Sequence, residues 1–108
     1  MNAMLRYNLG EVVFAQGRFD EAETLLLESR RLFAAALGER HPLTGPPTLY
    51  LAKIAARRGD VVDAERLFLE VLERYRQAET VDPELVEQAE EAYARFRRQA
   101  PAVAPSPG

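Results

Sequence analysis

Gly17-Arg18-Phe19-Asp20-Glu21-Ala22-Glu23 returns later in the chain as Gly59-Asp60-Val61-Val62-Asp63-Ala64-Glu65. Gly59 stands 42 residues after Gly17, and the same step carries Leu9 onto Leu51, Leu25 onto Leu67, Leu26 onto Phe68, Leu27 onto Leu69 and Glu28 onto Glu70. Matches in one register without a gap mark an internal repeat. A repeat of this length is one supersecondary unit, which buries its apolar side only by stacking on a neighbour.

Working outward from that stretch, each copy reads as a helix pair. In the first, Leu5, Leu9, Val12, Val13 and Ala15 make an apolar stripe at helical spacing. Gly17 stops this helix, because the position just past a helix end is left-handed and a Cβ there is strained. Asp20 and Glu21 suit the first turn of the next helix, where negative charge meets the positive end of the helix dipole. That helix puts Ala22, Leu25, Leu26, Leu32, Phe33 and Ala36 on its buried side and ends at Gly38. The second copy repeats the logic. One helix, from about Pro46 to Arg58, carries Leu49, Leu51, Ile54 and Ala55 and stops at Gly59; its partner, from about Val61 to Ala78, carries Ala64, Leu67, Phe68, Val71, Leu72 and Tyr75.

A fifth helix begins at Asp82-Pro83-Glu84, with Asp82 as N-cap and Pro83 at the first helical position. Leu85, Val86, Ala89, Ala92, Tyr93 and Phe96 form one face, and Glu87, Glu90, Glu91, Arg95, Arg97 and Arg98 the other. One repeat step after Gly59 stands Pro101, so the third repeat is cut after one helix, as the polar cap of a stacked array should be. The expected fold is all-α: about two and a half repeats and five helices within residues 1–99, with repeat 1 at about 3–37, repeat 2 at about 45–78 and the capping helix at about 83–99. The Pro- and Ala-rich tail, 100–108, has too little to bury and is expected to be disordered.

Composition narrows the function classes. The chain has 108 residues, enough for one continuous core, and a formal charge of −3 gives no support to a nucleic-acid binder. There is no cysteine, which removes disulfides and thiolate metal sites. No basic segment leads into an apolar run at the start, and no stretch reaches the roughly 20 apolar residues that span a bilayer, so a cytoplasmic protein is expected. Of the 14 basic residues only Lys53 is lysine, a bias that fits a GC-rich bacterial genome. No phosphate loop, nucleophile elbow or metal cluster is present, and neither enzyme activity nor a cofactor is expected.

Asn8-Leu9-Gly10 through Ala15-Gln16-Gly17-Arg18-Phe19-Asp20-Glu21-Ala22-Glu23 resembles the first helix, turn and second-helix start of the tetratricopeptide repeat. Leu37-Gly38-Glu39-Arg40-His41-Pro42-Leu43-Thr44 is similar to the linker of the longer version of that repeat, found in kinesin light chains and many bacterial proteins. The resemblance covers roughly residues 3 to 99. The sequence departs from the pattern at Arg6, where the family often has Trp, and in the second copy at Ala52 (for Gly10) and Val62 (for Asp20).

The resemblance implies a short right-handed α-solenoid of antiparallel helix pairs, whose first helices line a concave groove for a peptide or partner protein. Carried over position by position, Tyr7, Asn8, Glu11 and Phe14 face it from the first pair, and Tyr50, Lys53 and Arg57 from the second. Asn8 matches the family's groove asparagine, and Asn8, Lys53 and Arg57 are the only residues resembling the donors with which some relatives bind a terminal carboxylate. His41, the only histidine, sits in the linker motif and is expected to shape the loop. The carboxylates at the helix starts are accounted for by the helix dipole, as are Arg57-Arg58 and Arg95-Arg97-Arg98 near helix ends. Two other readings accompany the groove. The chain opens inside its first helix with no capping helix before it, so a homodimer that buries Leu5, Val12 and Phe14 between chains is one. The other is a C-terminal fragment of a larger bacterial regulator, such as a kinase or transcription factor.

Overall fold

The computed structural model describes residues 2–100. Among them the chain forms five α-helices and no strand: α1 Ala3–Ala15, α2 Phe19–Leu37, α3 Gly45–Arg57, α4 Val61–Gln77 and α5 Pro83–Gln99. A 3₁₀ turn, Pro42–Thr44, leads into α3. The expected disordered tail falls, beyond residue 100, outside the described residues.

The repeat holds down to individual hydrogen bonds. After α1, Gly17 adopts φ 80°, its N–H donates to the Phe14 carbonyl at 2.9 Å, and the Arg18 N–H donates to Val13 at 3.2 Å. After α3, Gly59 adopts φ 81°, its N–H donates to Ala56 at 3.1 Å, and the Asp60 N–H donates to Ala55 at 2.9 Å. Both turns close the orphan carbonyls of the preceding helix by the same device. Asp82 caps α5 by accepting from the Glu84 N–H at 2.9 Å. Asn2 caps α1 in the same way, accepting from Leu5 at 2.7 Å, a role the sequence pattern does not announce. His41 has the expected loop role. Its ring nitrogen accepts from the Leu43 N–H at 3.1 Å, and its carbonyl accepts from the Thr44 hydroxyl at 2.8 Å, which fixes the entry to α3.

α1 packs on α2 and α3 on α4 as pairs, α3 stacks on α2, and α5 lies against α4. The molecule measures 46 × 34 × 21 Å, the slab of a short stacked array. Ala22 and Ala64, one repeat step apart, are completely buried at the close approach of paired helices. Leu49, Leu51, Ile54 and Ala55 are all buried, as the second copy's pattern predicts.

Two expectations about the apolar faces are corrected. Of Leu5, Leu9, Val12, Val13 and Ala15, only Val13 is buried. α1 turns Gly10 and Val13 to the core, together with Arg6, which pairs with Glu28. At about 100° per residue, Leu5, Leu9 and Val12 lie roughly a third of a turn away from Gly10 and Val13, on a side that no helix among the described residues covers. Ala36, placed on the buried side of α2, is exposed because α2 there runs past the end of α1.

Candidate functional site

A groove of about 810 Å³ runs across α1, α3 and α5, with α4 behind it. This volume and its mixed lining are those of an open ligand cleft. Six of the seven residues expected to face it do so: Tyr7, Glu11, Phe14, Tyr50, Lys53 and Arg57. Asn8 does not. It is exposed on α1 beside the groove, since one residue on from Tyr7 turns the side chain about 100° away. Asn8, Lys53 and Arg57 are therefore not gathered into one carboxylate-binding set.

Tyr50 is the hub of the groove's α1–α3 half. Its ring meets Tyr7 edge-on at 5.9 Å and Phe14 edge-on at 5.2 Å, and the Lys53 Nζ stands 4.4 Å from its centroid. Arg57 lies over two rings, 5.5 Å from Phe14 and 5.7 Å from Phe19. A cation held against a ring face is attracted by the ring's negative quadrupole, so these side chains stay extended along the wall rather than dispersing into water. The Tyr7 hydroxyl donates to Glu11 Oε2 at 2.9 Å, which fixes the one carboxylate of this wall.

The ionisable groups respond to this setting. Burial raises the Tyr7 hydroxyl well above the usual tyrosine range, and the adjacent Glu11 carboxylate adds to it. Burial and Glu11 raise Tyr50 as well. The Lys53 ammonium is lowered, first by burial and then by Arg95 and Arg57, with Glu11 pulling the other way. Of the charged groups acting on Lys53, only Glu11 favours its charge, and Glu91 is the other carboxylate in the lining.

Arg95 belongs to α5, a helix absent from the groove expected on sequence. Gln88, Glu91, Arg95 and Gln99 of α5 form its third wall. The signal for this lies in the repeat itself: one step takes Glu11 to Lys53 and Lys53 to Arg95, and Arg57 to Gln99. Glu11, Lys53 and Arg95 occupy one register position on three helices, and all three line the groove. α5 is held against α4 by the Tyr93 hydroxyl, which donates to Glu65 at 2.7 Å, and by Phe68, which packs against Phe96 at 5.1 Å on the groove floor.

Among the described residues no group of His, Cys, Asp or Glu is placed to hold a metal, and no helix is long and apolar enough to cross a membrane. The sequence matches the family model of the tetratricopeptide repeat over residues 1–77, so the match ends where α4 ends and leaves α5 outside it. No curated protein and no solved structure gives a significant match. Tetratricopeptide repeats generally mediate protein–protein interactions. Two helix pairs in one repeat register, closed by equivalent glycine turns and matched over most of the chain, make this protein a member of the tetratricopeptide repeat family.

Proposed function

We propose that the chain is a non-catalytic binding module that takes a short peptide segment in the α1–α3–α5 groove, and that the preferred segment carries an acidic group beside an aromatic or aliphatic anchor. The observation that carries this reading is that Lys53, Arg57 and Arg95 line one groove beside three aromatic rings, with the charge of Lys53 disfavoured first by burial and then by Arg95 and Arg57. An incoming carboxylate satisfies all three cations, and the rings of Tyr7, Phe14 and Tyr50 offer the apolar surface beside them. Aromatic and arginine side chains are the usual energetic anchors of such contacts.

The test is a peptide array in which charge and ring content vary independently, followed by titration of the best sequences. Acidic-aromatic peptides should bind best, and Lys53→Glu with Arg95→Glu should weaken them at least about tenfold, the loss of one charge-assisted contact or more. Binding that ignores peptide charge, or survives the double reversal, would sink the reading.

Self-association is a second reading with an observation of its own: Leu5, Leu9 and Val12 stand open on α1. That face points away from Tyr7, Glu11 and Phe14, so a dimer leaves the groove free.

A further inference from the structure

Charge is handled in two ways on this molecule. Outside the groove the described arginines are paired: Arg6 with Glu28, Arg58 with Asp20 and Glu23, Arg66 with Asp63, Arg97 with Glu65. Inside it they are not. The lining holds five charged side chains, Glu11, Lys53, Arg57, Glu91 and Arg95, and among the described residues none of the five forms an ion pair. Both signs are therefore left open to a ligand.

The signs are also sorted. α1 contributes one carboxylate, Glu11, whereas α3 and α5 contribute three cations against the single carboxylate of Glu91. Within the row Glu11, Lys53 and Arg95, the sign changes once, between α1 and α3. Those two helices are neighbours there: the Tyr7 and Tyr50 rings meet between them at 5.9 Å, and Arg57 of α3 lies 5.5 Å from the Phe14 ring of α1. Glu11 is fixed on its side of that boundary, because Tyr7 donates to its Oε2 at 2.9 Å. A carboxylate bonded through one oxygen keeps the lone pairs of the other for an incoming donor. Being already oriented, it loses little freedom when the donor arrives.

We infer that the segment taken by this groove carries both signs of charge in a set order, a basic side chain over Glu11 at the α1 wall and an acidic one over Lys53 and Arg95 toward α5. This narrows the ligand class and rests on the peptide-binding reading above. An all-acidic segment brings like charge against Glu11, and an all-basic one brings it against Lys53 and Arg95. Glu11 thus sets the order by exclusion as much as by attraction. The two ligand charges stand about as far apart as neighbouring packed helices, roughly 8–10 Å.

The experiment is a fluorescence-anisotropy titration of the full chain with three labelled peptides of one length, each with a central phenylalanine. Two positions flanking the ring, about 8–10 Å apart, carry Lys and Glu, Glu and Glu, or Lys and Lys. The Lys–Glu peptide should bind about fivefold or more tighter than the others, the size of one charged contact. Glu11→Lys should reverse the ranking in favour of the Glu–Glu peptide. Glu11→Gln, whose amide oxygen still accepts from Tyr7, should level the two. A Glu–Glu peptide that binds the parent as tightly as Lys–Glu overturns the order while the acidic-segment reading stands. A Lys–Glu preference that both Glu11 variants leave intact overturns the role of Glu11. No binding by any of the three, or binding indifferent to Lys53→Glu with Arg95→Glu, overturns the groove reading and the order together.

Discussion

Gly45 lies flat against the ring of Tyr75: a Cβ built on the glycine would overlap the ring carbons and the hydroxyl. The contact joins the first turn of α3 to the last turn of α4 and sets how closely that pair can approach. Gly45→Ala should destabilise the fold by about 1–3 kcal/mol through overpacking. Thermal unfolding followed by circular dichroism reads this as a drop of roughly 4–8 °C per kcal/mol. Adding Tyr75→Leu should recover part of the loss, whereas additive losses would show that the two residues do not clash.

Gly10 and Gly17 invert a simple ranking. Only Gly17 needs a positive φ, at 80°, and nothing stands within 4 Å of a Cβ there. Gly10 has ordinary helical backbone, yet a Cβ on it would lie 2.8 Å from Leu26 Cδ2, and Leu26 is completely buried. Gly17→Ala should cost about 1–2 kcal/mol from backbone strain, and Gly10→Ala at least as much from displaced packing. Chemical denaturation of both variants decides it: a silent Gly10→Ala would mean that Leu26 has room to move.

Ala22 carries no exposed surface, so Ala22→Leu should cost about 1–3 kcal/mol. Val62→Leu, at an exposed site on α4, is the control and should leave the unfolding midpoint within about 0.5 kcal/mol of the parent.

Every tyrosine in the chain is raised. Burial holds Tyr75 up to about 12, and Tyr7, Tyr50 and Tyr93 are raised by burial together with neighbouring carboxylates. The folded state favours the protonated phenol, so this contribution to stability is complete below the unfolded value near 10. It is lost as pH climbs through the folded value. Phenolate absorbance at about 295 nm should rise later in the native protein than in denaturant, and the unfolding midpoint should fall from about pH 10 upward. Tyr75→Phe should soften that fall. Coincident native and denatured titrations would contradict the burial of these rings.

Asn8 gives the most direct check on the groove's edge. Because it lies outside the lining, Asn8→Ala should change peptide affinity less than about twofold, while Arg57→Ala should weaken it severalfold by baring Phe14 and Phe19. A large loss at Asn8 would move the binding surface toward the solvent side of α1.

Much of this fold is legible as text because its punctuation is backbone chemistry. Gly17, Gly38 and Gly59 take positive φ, and Asp82-Pro83 opens α5, for reasons that depend on no distant contact. The faces of α3, α4 and α5 are legible for a different reason: each has a neighbour on the expected side, so periodicity and burial agree. α1 defeats the same reasoning. Its apolar stripe is real, but burial needs a partner, and helical periodicity does not say whether one comes before it. Phe14, expected both in the groove and with Leu5 and Val12 in a chain–chain contact, turns into the groove against Tyr50 and Phe19. Tyr7, Glu11, Tyr50, Lys53 and Arg57 are readable by position, and Arg95 becomes readable only when the repeat step is applied once more, beyond the second turn glycine.

The common register of Glu11, Lys53 and Arg95 also works as a ruler. Packed helices stand about 8–10 Å apart, and an extended chain advances about 3.3 Å per residue. A strand laid across α1, α3 and α5 thus meets one of these side chains at every third residue, first an acid and then two bases. Its message would be spelled in triplet steps, and because Lys53 feels both Glu11 and Arg95, an exchange at position 11 or 95 would also retune the letter between them.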